Sequence, residues 1–193
     1  MHTVYQTRGF VLSGLPAGEA SRILRIFTRE LGLIIASARG VRSLRSKLRY
    51  ALQDFSYASI SLLRGRNLWR VTTASPQRDF EFSRRTSAAR LLPVRLLTLL
   101  ARLLPEEEPH EQLFDSITAA FSFLTREEIT RDDLRRLEYL LVREILTETG
   151  YLPPLSSMDV SPVGWSRQKL GSIAGREREV VREINHSLRA SGL

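Results

Sequence analysis

Between residues 38 and 50 the chain reads Ala38-Arg39-Gly40-Val41-Arg42-Ser43-Leu44-Arg45-Ser46-Lys47-Leu48-Arg49-Tyr50, five cations with no acid among them. Charge at that density repels itself unless a polyanion screens it. Phosphates do so while releasing condensed counterions, which is the main driving force of nucleic-acid binding. Arg39, Arg42, Arg45, Lys47 and Arg49 are therefore candidate phosphate contacts. Arg64 and Arg66 flank Gly65 between two apolar runs, where a hairpin tip would extend the same surface. Single-strand binding also uses aromatic platforms, worth roughly 1–3 kcal/mol per stacked base. Of Tyr50, Tyr57 and Trp69, Tyr50 is the best placed because it closes the basic run, whereas Trp69, between Leu68 and Val71, reads as a core residue. Two blander readings of the basic run are a solvated loop and a dock for an acidic protein.

Other chemistry is thinly represented. The 193 residues contain no cysteine, which excludes disulfides, thiolate zinc sites, iron–sulfur clusters and a cysteine nucleophile. The three histidines, His2, His110 and His186, fall at the terminus, in an expected interhelix loop and on a terminal helix, and are expected at the surface rather than around a metal. The sequence has no Gly-x-Ser-x-Gly elbow, no Walker loop and no His-Glu-x-x-His pair. These observations predict no catalytic residue, no metal and no cofactor, and so a protein that is not an enzyme. The N-terminus lacks the apolar core of a signal peptide, and no apolar run reaches the roughly 18 residues of a membrane span. The longest, Leu91 to Leu104, carries Arg95 and Arg102 and reads as a core helix.

The placement of charge points the same way as the basic run. Residues 1–80 hold 13 Arg and Lys against 4 Asp and Glu, a balance of +9, whereas residues 81–193 hold 16 against 17, a balance of −1. Arg supplies 27 of the 29 cations, and its planar fork suits phosphate and base stacking better than Lys does. A GC-rich genome would also favour Arg, but it would not concentrate the excess charge in one part of the chain.

The elements that must carry these residues change character near residue 80. Up to about residue 78, short apolar runs rich in β-branched and aromatic residues are broken by Gly and Pro, as in strands. The first run closes on Gly14-Leu15-Pro16-Ala17-Gly18, a turn signal. Ser21 to Leu31 fits helix and strand alike, Leu33 to Ala38 suits a central strand, and Phe55–Leu63 with Asn67–Ala74 suits a hairpin across Arg64-Gly65-Arg66. About five strands in under 80 residues suggest a small closed barrel. Beyond residue 84 the period is helical. One helix or pair spans Arg84 to Leu104, with Pro93 best placed in a first turn. A second carries Leu113, Ile117, Ala120, Phe121 and Leu124. A third begins at Thr130, with Asp133 completing a capping signature before Leu134, Leu137, Leu141 and Ile145, and stops at Gly150. Ser156 to Gly175 reads as a loop, and Val180, Ile184 and Leu188 mark a final helix.

Several of these segments together resemble a known family. Gly9-Phe10-Val11-Leu12, Pro16-x-Gly18-Glu19-Ala20, Phe27-Thr28-Arg29-Glu30-x-Gly32, Ala38-Arg39-Gly40-Val41-Arg42 with Ser46, and Leu52-Gln53-x-Phe55 are similar in order and spacing to the N-terminal domain of RecO recombination mediators. Leu104-Pro105-Glu106, Leu113-Phe114, Arg136-Leu137-Glu138 and Thr149-Gly150-Tyr151 with Leu155 resemble that family's helical domain. The resemblance implies an OB-fold of five strands over residues 1–80, an all-α helical domain over 81–155, and a loop and C-terminal helix packing on it over 156–193. It resolves Ser21 to Thr28 as a strand. It also implies binding and annealing of single-stranded DNA in repair and recombination, help in loading RecA, RecR as a partner, contact with the acidic C-terminal tail of single-stranded-DNA-binding protein, and a cytoplasmic, nucleoid-associated location in a bacterium. By position, Arg39 and Arg42 fall in the motif whose basic residues face DNA, and Arg45, Lys47 and Arg49 follow in the matching loop.

The chain departs from the family pattern in two ways. Where many members carry a four-cysteine zinc site, Ser156, Ser157 and Met158 stand instead, which implies no zinc. The region after residue 156 is also shorter than is typical, so the RecR and tail contacts are expected to be the reduced part of the function. A tail site would need cations beside a helical groove. Arg84, Arg85, Arg90, Arg95, Arg102, Arg135, Arg136 and Arg143 are available for it. An RNA-binding OB protein and an adaptor docking an acidic protein remain the alternative functions.

Overall fold

A computed structural model describes residues 3–77, 80, 86–153 and 164–190 of the chain. Two compact units are present. One is Met1–Glu81 with Leu97–Glu111, and the other is Phe82–Leu96 with Gln112–Leu193. The single boundary near residue 80 expected from the sequence thus becomes three crossings, at 81/82, 96/97 and 111/112, because the C-terminal part of the first long helix and the segment after it group with the strands.

Strands β1 (Val4–Ala17), β2 (Ser21–Thr28), β3 (Gly32–Ala38), β4 (Tyr57–Arg64) and β5 (Trp69–Pro76) form a closed barrel in the order β1-β2-β3-β5-β4. This is the OB-fold expected from the sequence. All pairings are antiparallel except β3 with β5, whose short parallel contact, Ala36 opposite Trp69 and Ser37 opposite Arg70, closes the ring. Closure leaves no strand edge unpaired around the ring. Alternating side chains fill the interior: Val11, Leu24, Ile26, Ile34, Ala36, Ala58, Ile60, Leu62, Trp69 and Val71 are all buried.

Ser21 to Thr28, ambiguous by period alone and marked as a strand by the family resemblance, is strand β2 and pairs on both sides. One local expectation changes. The turn signal at residues 14–18 does not end the first strand: β1 continues through Gly14, Leu15 and Pro16 opposite Leu24, Ile23 and Arg22, with a bulge between Val11 and Ser13. Gly14 is there for space. A Cβ on it would lie 2.4 Å from a guanidinium nitrogen of Arg22.

The other unit is helical. Helix α2 (Ser87–Leu103), whose C-terminal part belongs to the barrel unit, is followed by α3 (Glu111–Arg126), α4 (Arg131–Glu148), α5 (Arg167–Gly171) and α6 (Glu177–Ala190), while α1 (Leu48–Ala51) is a single turn in the barrel unit. Leu113, Ile117, Ala120, Phe121 and Leu124 are buried on α3, and Leu134, Leu137, Leu141 and Ile145 on α4, as the 3.6-residue period predicts. Thr130 caps α4 by accepting from the Asp133 amide at 3.1 Å.

Three expectations fail in this half of the chain. Pro93 lies inside α2 rather than in its first turn, since the helix starts at Ser87 with the Thr86 hydroxyl accepting from the Ala89 amide. His110 is buried, not a surface residue, whereas His186 is exposed and His2 lies outside the described residues. The stretch read as a loop as far as Gly175 contains α5 and the buried residues Trp165, Leu170 and Ile173. Trp165 donates its indole N–H to the Ser116 carbonyl at 2.9 Å, and the Lys169 ammonium sits 4.0 Å from the centre of its ring. Ser156, Ser157 and Met158 lie outside the described residues.

Candidate nucleic-acid interface

The basic segment is tied down at both ends by its apolar residues. It leaves β3 at Arg39, turns at Gly40 with φ +66°, and then buries Val41 in the end of the barrel. After two further turns it enters α1, where Ala51 and the following Leu52 are fully buried and Leu48 packs against the same core. Val41, Leu48, Ala51 and Leu52 thus face the barrel while the cations are exposed to water. The sequence predicts a loop over the whole segment. The structure makes its last part a helical turn, because Leu48, Ala51 and Leu52 share one face toward the core.

Polar bonds fix the segment against the β1–β2 hairpin. The Arg42 amide donates to the Ala20 carbonyl at 2.9 Å, and the Arg42 guanidinium donates to the Gly18 carbonyl at 3.1 Å. At the far end Arg22 reaches across from β2. It donates to the Gly14 carbonyl at 2.9 Å, to the Leu52 carbonyl at 3.1 Å and to Asp54 at 2.6 Å, with only 18% of its side chain exposed. Arg22 was not among the residues singled out from the sequence. An isolated Arg in a strand carries no local signal that it will reach three partners 8 to 32 residues away.

Arg39, Arg42, Arg45, Lys47 and Arg49 are all exposed, and none forms an ion pair with an acid among the described residues. Two large apolar side chains share the exposed run: Leu44 is 85% exposed and Tyr50 70%. Tyr50 is thus free to stack on a base. Leu44 went unnoticed in the sequence because an isolated Leu usually signals core. Tyr57, the other tyrosine considered, is buried against Phe10 and Phe80 at ring separations of 4.6 and 5.1 Å and offers no platform. Trp69 is a core residue, as its neighbours suggest.

The hairpin tip differs from the loop. Arg66 is exposed without an acidic partner among the described residues, but Arg64 forms an ion pair with Glu107 and stacks over Trp69, its guanidinium carbon 4.8 Å from the ring centre. Glu107 holds the Arg64 guanidinium above its ordinary range by hydrogen bonding, and Arg64 holds the Glu107 carboxyl below the usual carboxylate range for the same reason. Arg64 therefore does not present a free charge as Arg66 does.

Of the eight arginines considered for a tail site, four have carboxylate partners among the described residues. Arg95 bonds Glu138 at 3.0 Å, Arg136 bonds Glu177 at 2.9 Å and Arg143, itself buried, bonds Glu183 at 3.1 Å, while Arg135 lies 3.6 Å from Asp132. Arg90 and Arg102 are exposed, and Arg84 and Arg85 lie outside the described residues.

Comparison with known proteins agrees with this architecture. The family model for the N-terminal part of recombination protein O matches residues 1–80, and the model for its C-terminal part matches residues 94–159, in order and over most of the chain. The chain belongs to the RecO family. Among curated RecO relatives, the DNA repair protein RecO of Alkaliphilus metalliredigens is 32% identical over 153 residues, covering 79% of this chain and 61% of the relative. That of Rubrobacter xylanophilus is 35% identical over 134 residues, covering 61% and 54%. That of Thermodesulfovibrio yellowstonii is 27% identical over 169 residues, covering 86% and 63%. The chain thus spans between half and two thirds of the length of these relatives. No helix among the described residues is long and apolar enough to cross a membrane.

Proposed function

We propose that this RecO-family chain binds and anneals single-stranded DNA in repair and recombination, without turning over a substrate, through the segment from Arg39 to Tyr50. The observation that carries the reading is the anchoring of that segment. Val41, Leu48, Ala51 and Leu52 are seated in or against the barrel core, so five cations, Leu44 and Tyr50 are held outward by a rigid support. Cations on a fixed surface neutralise phosphates without first ordering a flexible chain, and a stacking residue beside them suits unpaired bases rather than a duplex. Annealing follows when one basic surface screens two strands at once, because their mutual repulsion then no longer opposes pairing. Arg39, Arg42, Arg45, Lys47 and Arg49 contact phosphates in this reading, with Arg66 beside them and Tyr50 stacking.

The family reading adds RecA loading, RecR and the acidic tail of single-stranded-DNA-binding protein. For the tail, a groove between α4 and α6 sets Leu140, Ile173 and Val180 beside Arg182, while its other cations, Arg143 and Arg176, are paired with Glu183 and Glu179, so an acidic peptide ending in apolar residues would bind at Arg182 or displace those carboxylates. A strand-annealing assay with complementary oligonucleotides, run with and without such a peptide, tests both parts. The account expects faster annealing, and a peptide-dependent change if the tail binds. No acceleration over the protein-free rate would overturn the annealing role, and strong preference for matched RNA over DNA would replace it with an RNA-binding one.

A further inference from the structure

A second basic surface lies at the tip of the β4–β5 hairpin. Arg39, Arg64, Arg66 and Arg70, with Ser37 and Asn67, line one open hollow. Four arginines lining one concavity concentrate positive charge there, which favours an anion beside them. One of the four, Arg64, is already engaged by an acid of this chain. Glu107, from the segment after α2, takes a hydrogen bond from Arg64 and another from the Trp69 indole nitrogen at 3.1 Å.

The placement of Glu107 is over-determined. Its amide donates to the Leu33 carbonyl at 2.8 Å, and Leu33 forms a parallel bridge with Glu106. Gly32, at φ +67°, makes room for this segment, since a Cβ there would lie 1.9 Å from the Glu108 carbonyl oxygen. Glu107 itself adopts φ +60°, a left-handed conformation that non-glycine residues rarely accept. Strain of this kind persists only where surrounding contacts impose it, and it clusters at functional sites. Yet the ion pair it secures is weakly held, for Arg64 and Glu107 are 49% and 45% exposed.

We propose that the hollow is a phosphate subsite and that Glu107 competes with a nucleic-acid phosphate for Arg64. The inference rests on the single-strand reading above and deepens it. A carboxylate and a phosphate present similar oxygen pairs to the guanidinium fork, so either can occupy it. Arg39 belongs both to the basic loop and to this hollow, so a strand bound along the loop runs directly into it. Glu107 then lowers non-specific affinity by withholding one cation, and a strand with enough other contacts displaces it.

The test uses the full chain and labelled oligothymidylate, titrated by fluorescence anisotropy at several salt concentrations. Glu107→Gln keeps an acceptor for Trp69 but frees the charge of Arg64. It should tighten binding about fivefold at 0.1 M salt and steepen the slope of log K against log salt by about 0.7, the value of one added phosphate contact on a single strand. Combining it with Arg64→Gln should restore the wild-type slope. In the unaltered protein, the indole proton resonance of Trp69, assigned with Trp165→Phe, should shift as oligothymidylate is added. Unchanged affinity and slope in Glu107→Gln, a gain that persists in the double variant, or an immobile Trp69 resonance would overturn the subsite. Absence of salt-dependent binding by the wild-type chain would overturn the single-strand reading as well, so the two failures are distinguishable.

Discussion

Arg22 should matter to binding without touching the ligand. Its guanidinium fastens the β1–β2 hairpin to the exit of the basic segment through Gly14, Leu52 and Asp54, at 2.9, 3.1 and 2.6 Å. Replacing it with Met keeps the aliphatic stem and removes all three bonds. Hydrogen bonds to a charged donor contribute about 1.5–3 kcal/mol each, but water can partly replace them because Asp54 is 44% exposed. A net loss of about 2 kcal/mol is the reasonable figure. For a unit of this size it lowers the melting temperature by about 8–16 °C. Circular dichroism would read that loss, and anisotropy with oligothymidylate would read its consequence. The loop should bind more weakly because its ordered form is less populated, while the salt slope stays as in wild type because no phosphate contact has gone. A flattened slope would refute the reasoning, since it would make Arg22 itself a phosphate contact. So would an unchanged melting temperature, which would mean that the clamp holds nothing.

Three further outcomes follow from single contacts. Tyr50→Ala should weaken single-strand binding by about 1–3 kcal/mol at constant salt slope, because stacking is lost and charge is not; titration across salt checks it. Gly32→Ala should lower the melting temperature of the chain, because it forces a side chain onto a left-handed residue and into the Glu108 backbone, at about 1–3 kcal/mol or more. Glu144→Gln should stabilise the chain at neutral pH. Burial pushes the Glu144 carboxyl above its usual range, outweighing a hydrogen bond from Ser116 and the attraction of Lys169. Its ionisation therefore costs stability as pH rises from the ordinary value of 4.5 through the raised folded one, so the advantage of Gln should disappear in denaturant melts below about pH 4.5.

What the sequence made legible depended on whether a signal was local. Periodic apolar residues placed α3 and α4 correctly, and Thr130 marked its cap, because those signals lie within one turn. The short strands and the basic run likewise announced a barrel with a charged loop. Long-range facts were hidden. Gly14 looked like a turn residue, and only its pairing with β2 reveals that it clears space for Arg22. Ser21 to Thr28 satisfies helical and strand periods equally, so only the family resemblance marked it as a strand, and its pairing with β1 and β3 agrees. Arg64 looked the same as Arg66 until Glu107, 43 residues on, neutralised it. Trp165 and Lys169 sit in a stretch too short and too irregular to show a period, and what orders them is the Ser116 carbonyl 49 residues earlier.

The central claim is that the cations from Arg39 to Arg49 meet the phosphates of a single strand. The slope of log K against log salt for oligothymidylate measures it most directly. Five loop contacts at about −0.7 each predict a slope of roughly −3.5, and replacing Arg39, Arg42 and Arg45 together with Ala should flatten it by about two. A slope that the triple replacement leaves unchanged would contradict the account and place the strand elsewhere on the chain.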